Sequence, residues 1–169
     1  MKRLSILRHA KSSWDQPNLN DFDRPLNDRG WEAARRMGRE LKRRQMSFDL
    51  VLASMAARVR ETLDGLREEF EIKGPIRFDP AIYHADEAAL LSLVRELPET
   101  VETPLLIGHN PGLHQLVLEL TCNGEARHRV VQKFPTAALA MIELPVENWK
   151  DVRPGAGSVS ALIVPKDLD

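Results

Sequence analysis

The chain of 169 residues fits one domain, residues 1–169, with a single sizeable core. With 43% hydrophobic and 29% charged residues it reads as globular rather than disordered, and a formal net charge of −1 excludes a global basic field that would draw it to nucleic acid. Cys122, the sole cysteine, excludes an intrachain disulfide and a thiolate metal site and reads as a small core residue. The apolar run Leu4 to Leu7 after Met1-Lys2-Arg3 is too short for a signal peptide, and no stretch approaches the ~20 apolar residues of a membrane span, so a cytoplasmic location without membrane attachment is the expectation.

Arg3 to Leu7 reads as a strand that ends at Arg8-His9. Lys11 to Leu26 is polar, carries Pro17, Asn18, Asn20 and Pro25, and reads as a long loop of the kind that often serves function. Asn27 or Asp28 caps a helix to about Arg44, with Trp31, Ala34, Met37 and Leu41 on one face and Lys42-Arg43-Arg44 at its negative end. Leu50 to Ala53 is a buried strand. Ser54 is then expected to cap a helix whose apolar stripe is Val59, Leu63, Leu66 and Phe70. Gly74-Pro75 breaks the chain, and Asp79 to Tyr83 is irregular or a short strand.

Asp86 caps the next helix, with Leu90, Leu93, Val94 and Leu97 inward and Pro98 as its stop. Pro104 to Ile107 is another apolar strand. After Gly108-His109, Asn110 is the expected cap and Pro111 the first residue of a helix with Leu113, Leu116, Val117 and Leu120 inward. Ala137 to Leu144 and Ser158 to Val164 are further strands. No repeat or linker interrupts the order.

Strands alternating with helices predict an α/β three-layer domain, a mostly parallel central sheet with helices on both faces. Ligands of such sheets bind outside the carboxyl ends of the strands. Arg8 and His9 follow the first strand, Ser54 and Arg58 the second, and His109 follows the strand ending at Ile107. Taken singly, each has an ordinary reading: an arginine paired with a surface carboxylate, a solvated helix residue, a strand-end or turn histidine. Their convergence at one sheet edge points to a site. His84, His114 and His128 have no such placement; His114, within a helix, and His128, among basic residues, read as structural or exposed.

Two arginine forks match phosphate oxygens and repel a divalent cation, and no carboxylate or cysteine completes a metal set around His9 and His109. A histidine in such a pocket can attack phosphorus and carry the phosphoryl group, with the arginines holding the equatorial oxygens and favouring the neutral imidazole that attacks. His109 can donate to a phosphoryl oxygen, beside the N-terminus of the following helix.

Leu7-Arg8-His9-Ala10 resembles the Arg-His-Gly signature of the histidine phosphatase superfamily, the phosphoglycerate mutase-like enzymes. Ser54 to Thr62, with Arg58, resembles its second motif, and Ile107-Gly108-His109-Asn110-Pro111 its third. Asp23-Arg24-Pro25-Leu26, followed by Gly30, matches the segment between first loop and first helix. The agreement runs from about Leu4 to Leu120 and is looser in the tail. The short length and the Arg-His-Ala-Lys-Ser opening are similar to the SixA-type phosphohistidine phosphatases, the compact branch. The resemblance implies a phosphoglycerate mutase-like fold, phosphorylation of His9, and Arg8, Arg58 and His109 on the phosphoryl group. It implies no metal and no cofactor, and sets Lys11 and Arg24 at the pocket mouth.

Ala10 departs from the usual glycine, a small change. Many larger relatives also have a glutamate that protonates the leaving group. Asp86 is the candidate for that general acid here, and the reading as a helix cap is favoured over it. A phosphohistidine leaves as imidazole and needs less acid help than an alkoxide, and a short chain leaves the pocket open. The leading reading is a phosphatase acting on phosphohistidine of a partner protein. The alternatives are a phosphatase for a small phosphate ester or anhydride and, from another class, a non-catalytic phosphoprotein-binding module.

Overall fold

The structure, a computed structural model, describes residues 1–168. Strand β1 (Lys2–Arg8) leads through a long loop to helix α1 (Asp28–Arg43), β2 (Leu50–Ala53) and α2 (Ala57–Glu69). Then come β3 (Ile76–Phe78), α3 (Glu87–Arg95), β4 (Pro104–Gly108) and α4 (Gly112–Leu120). The last elements are β5 (Thr121–Asn123), α5 (Arg127–Gln132), β6 (Leu139–Leu144) and β7 (Gly157–Ile163). Short 3-10 turns at Asp21–Asp23, Pro80–Ile82, Trp149–Asp151 and Pro165–Asp167 join them.

The strands form one sheet in the order β3-β2-β4-β1-β6-β7-β5. β1, β4, β2 and β3 run parallel, and β6 is antiparallel to both of its neighbours, so it alone opposes the rest. Alternation along each strand divides the core. Leu4, Ile6, Leu50, Leu52 and Leu106 pack with α3, α4 and α5, whereas Leu7, Val51, Ala53, Leu105 and Ile107 pack with α1 and α2. This is the expected three-layer, mostly parallel α/β architecture. Among the described residues no helix is long and apolar enough to cross a membrane.

Several boundaries differ from the sequence reading. Ser54 does not cap α2, which starts three residues later behind Ala56, because the Ser54 hydroxyl is fully buried and engaged elsewhere. Asn110 is likewise not the cap of α4. Pro111 occupies that position and the Asn110 amide donates to the Phe134 carbonyl at 2.9 Å. The segment from Asp79, read as irregular or a short strand, takes the first of these forms, a 3-10 turn capped by the Asp79 side chain. Cys122 is exposed on the edge strand β5, not in the core.

The loop after β1 is tied down at both ends. Ser12 bridges Leu26, and Ser13 N–H donates to the Pro25 carbonyl at 2.8 Å. The Lys11 carbonyl accepts from Asn27 N–H at 3.0 Å and lies so close to Gly30 that a Cβ there would meet it at 2.1 Å. Gly30 therefore lets α1 press against the residue two places beyond His9. Gly30→Ala should lower stability by about 2 kcal/mol, an overpacking effect, and the melting temperature by roughly 4–8 °C in a chain of this size. Thermal unfolding followed by circular dichroism checks this; a shift under about 1 °C would show that the loop absorbs the methyl group.

Candidate active site

The three strands that carry the site are neighbours, β2-β4-β1, with β4 in the middle. Their ladder continues past the strand ends. His9 N–H donates to the Gly108 carbonyl at 3.0 Å, and Ser54 N–H to the Ile107 carbonyl at 3.1 Å. Backbone pairing alone thus sets His9 and Ser54 on either side of His109. The rings of His9 and His109 lie 5.3 Å apart between centroids.

Arg58 comes from the first turn of α2 and is 6% exposed. Thr62, one turn on and fully buried, donates to the Arg58 carbonyl at 2.7 Å and accepts from Ala10 N–H at 2.9 Å. One hydroxyl therefore ties the helix bearing Arg58 to the residue after His9. Arg58 Nε–H points at His9 Nε2 at 3.4 Å. Arg8 is held by the Phe134 carbonyl at 3.3 Å, and its Nε has no partner within the protein.

The tautomer of His9 follows from its partners. Nδ1 lies 2.7 Å from the Ala10 carbonyl, which can only accept, so Nδ1 carries the proton. Nε2 then holds the lone pair, facing Arg58. Burial pushes the His9 pKa down to about 4. The charges of Arg58, Arg8 and Arg24 act in the same direction, and the Ala10 carbonyl only partly opposes them. His109 is lowered to about 3, mainly by burial and then by His9 and Arg58. The Ser54 hydroxyl accepts from Ala56 N–H at 3.2 Å and lies 2.8 Å from His109 Nε2. The hydroxyl can donate to Nε2 or accept from it, and Nδ1 of His109 has no protein partner; in the tautomer protonated at Nδ1 the ring offers a free donor there. Burial and the field of Arg58 also lower the pKa of Arg8.

Arg8, His9, Arg58 and His109 thus come together at one edge of the sheet, where the sequence reading placed them. Arg24 is buried at the margin of this group, with its guanidinium 3.5 Å from the centroid of the Trp14 ring. Lys11 is exposed and lines a neighbouring groove with Arg29, Arg36 and Lys133. Asp86 caps α3, its Oδ1 accepting from Ala89 N–H at 2.9 Å. His84, which the sequence placed away from the site, lies at its rim with its ring 3.9 Å from that of Tyr83. His114 is structural, bonded to the Val130 carbonyl at 2.6 Å, and His128 is exposed. Among the described residues no three His, Cys, Asp or Glu side chains group as a metal site.

Two residues of the site were not foreseen. Asp21, on the 3-10 turn of the long loop, accepts from Arg58 at its carbonyl (2.7 Å) and its Oδ2 (3.0 Å). Tyr83 O–H donates to the same Oδ2 at 2.6 Å, and its ring stands edge-on to His109. These bonds, the one from Tyr83 above all, hold the Asp21 carboxyl at a pKa of about 2. Burial and Asp21 together raise that of Tyr83. The acidic Asp21-Phe22-Asp23 segment, one residue before Arg24, was the available signal, but its distance from Arg58 in the chain hid the pairing.

The sequence profile of the histidine phosphatase superfamily (branch 1) matches residues 4–87. An uncharacterized protein of Mycobacterium leprae is 30% identical over 95% of this chain and all of its own length. Phosphohistidine phosphatase SixA of Escherichia coli is 28% identical over 86% of this chain and 90% of its own. The crystal structure of a candidate SixA from Agrobacterium tumefaciens superposes with a TM-score of 0.81 at 27% identity, covering 97% of this chain and 98% of that one.

His9 and His109 fold in the neutral form, whereas in the unfolded chain they titrate near pH ~6.5. As pH falls below that value the unfolded state binds more protons, so the stability present above it is lost as pH drops towards the folded pKa values of about 4 and about 3. Urea unfolding should show stability falling between pH 6.5 and 4.5 by up to about 1.4 kcal/mol per pH unit for each histidine. The double substitution His9→Gln, His109→Gln should flatten that slope; an unchanged slope would contradict burial of neutral rings.

Proposed function

Because the chain belongs to the histidine phosphatase superfamily, we propose that it is a phosphatase that carries the phosphoryl group on His9 and acts on phosphohistidine of a partner protein. The observation that carries the reading is His9 itself: Nδ1 is tied to the Ala10 carbonyl, so the Nε2 lone pair faces a pocket of guanidinium groups. A neutral imidazole fixed in this way is a nucleophile at neutral pH, and the arginines supply the charge that transfer of a phosphoryl group demands.

In the proposed reaction the phosphoryl group enters between His9 and the arginines. Arg58 Nε–H turns from His9 to a phosphoryl oxygen, Arg8 Nε–H takes a second, and His109 Nδ1–H donates to a third. His9 Nε2 bonds to phosphorus as the bond to the leaving nitrogen breaks, and the departing imidazole takes a proton from solvent. Water then attacks phosphorus as the bond to His9 breaks, a proton of that water returns to solvent, and phosphate and the neutral ring are restored. The guanidinium groups do the work that a metal would do elsewhere, so turnover runs without one and survives chelation.

Two features favour phosphohistidine over an alkyl ester. SixA of Escherichia coli bears the name phosphohistidine phosphatase and is similar along most of both chains. Asp86, the candidate general acid of the sequence, spends its carboxylate on the N-terminus of α3. A site without a positioned acid suits imidazole, a good leaving group, better than an alkoxide.

Rates on phosphohistidine proteins, phosphoserine peptides and sugar phosphates, all with chelator present, test this directly. Phosphohistidine should be fastest; faster turnover of a small ester would move the function to metabolite phosphatase, and no turnover at all would leave a binding module. His9→Ala should abolish turnover with the fold intact, and an acid-labile, alkali-stable phosphoryl group should be trapped on His9 of the wild type. Arg58→Lys keeps the charge but loses the fork, and should slow turnover about a hundredfold to a thousandfold. A change under about threefold would remove Arg58 from the machinery.

A further inference from the structure

Three guanidinium groups act on His9, those of Arg58, Arg8 and Arg24. Arg58 is 6% and Arg24 8% exposed, so solvent screens their fields little. Both histidines of the pocket are neutral. A phosphoryl dianion would balance two of the three positive charges. The third already has its counter-charge: Asp21 pairs with Arg58 at 3.0 Å and with Arg24 at 3.3 Å. Tyr83 fixes the carboxylate in place from the opposite element.

Asp21 also lies on the outer side of the pocket. Its side chain is 45% exposed, against 7% for that of Arg58. In-line attack by His9 expels the leaving group away from the buried ring, towards solvent, and so past the rim that Asp21 occupies. Lys11, Asp15 and Asp23 are exposed on the same loop, and Asp21 is set apart from them by its direct pairing with Arg58 and Arg24.

We propose that Asp21 is a specificity residue: it cancels the third guanidinium charge, so that the pocket accepts one phosphoryl dianion on a neutral or cationic leaving group and rejects substrates with a second anionic group beside it. A free carboxylate or second phosphate on the substrate would meet Asp21 with no unbalanced arginine to receive it. The imidazole of a phosphohistidine meets no such penalty: neutral it brings no charge to Asp21, and protonated at its second ring nitrogen it is a cation that can donate to the carboxylate. The inference rests on the reading of the pocket as a phosphoryl site.

Binding of three matched phosphonates, measured by calorimetry, tests this without requiring turnover: phenylphosphonate and its 3-carboxy and 3-aminomethyl derivatives. The wild type should bind the aminomethyl compound on the order of tenfold more tightly than the carboxy compound, with phenylphosphonate between them. Asp21→Asn, which keeps an acceptor for Arg58 and Tyr83, should reduce the ratio to within about twofold, chiefly by tighter binding of the carboxy compound. Tyr83→Phe leaves the carboxylate and should preserve the wild-type order. Equal wild-type affinities, an unchanged ratio in Asp21→Asn, or the same flattening in Tyr83→Phe would each overturn the assignment. Failure of all three phosphonates to bind would instead overturn the phosphoryl pocket itself.

Discussion

Positive charges buried together repel, and the rest of the site is built around holding them. Arg8 and Arg58 each depress their surroundings electrostatically: Arg58 lowers the pKa of Arg8, and both lower that of His9. A pocket of this kind is costly unless each guanidinium is tied to something that does not move. Arg58 is tied at its backbone by Thr62 and at its fork by Asp21. Arg8 is tied by the Phe134 carbonyl, which also receives the Asn110 amide. Burial first, and then the same field, keeps both imidazoles neutral. Burial and charge concentration thus act together on the two rings, and the cost is met by residues contributed from the loop, from α2 and from the tail.

Much of this was legible in the sequence, for a definite reason. Arg8-His9, Ser54 and His109 follow short apolar runs that can only be buried strands, and parallel strands put their carboxyl ends at one edge. β2 and β4 were recognisable because both of their faces are covered, which leaves continuous apolar runs. The edge strands were not. β3 has three residues with little burial, and β5 carries an exposed cysteine, so neither shows a pattern that separates it from loop. α5, six residues long, is too short for a helical period to emerge.

The misjudged caps have a common cause. Ser54 and Asn110 both have the right chemistry for an N-cap, and both sit just before a helix. Each instead spends its side chain on the site: Ser54 on His109, and Asn110 on the carbonyl that also holds Arg8. Asn27 and Asp86, on helices that begin away from the reacting centre, cap as their sequence suggests. Local rules failed where tertiary demand was strongest, at the two strand-to-helix turns that face the pocket. The failure of a cap expectation was itself a pointer to function.

Asp21 illustrates the other limit. Nothing local distinguishes it from Asp15, Asp23 or Asp28, since all are acidic residues in or beside a polar loop. What selects it is the path of that loop, pinned by the Ser12–Leu26 bridge and by contact of the Lys11 carbonyl with Gly30. Those anchors close the loop on itself and leave the 3-10 turn at its tip to reach Arg58 and Tyr83. Arg8, His9 and His109 are therefore set by strand ends, which periodicity reveals. Asp21, which pairs with Arg58, is set by loop closure, which it does not. On the proposed reading, a site whose histidines are fixed by the sheet and whose charge balance is fixed by a loop can change its substrate by altering the loop alone, with Arg8, His9 and His109 left where β1 and β4 put them and Arg58 where α2 holds it.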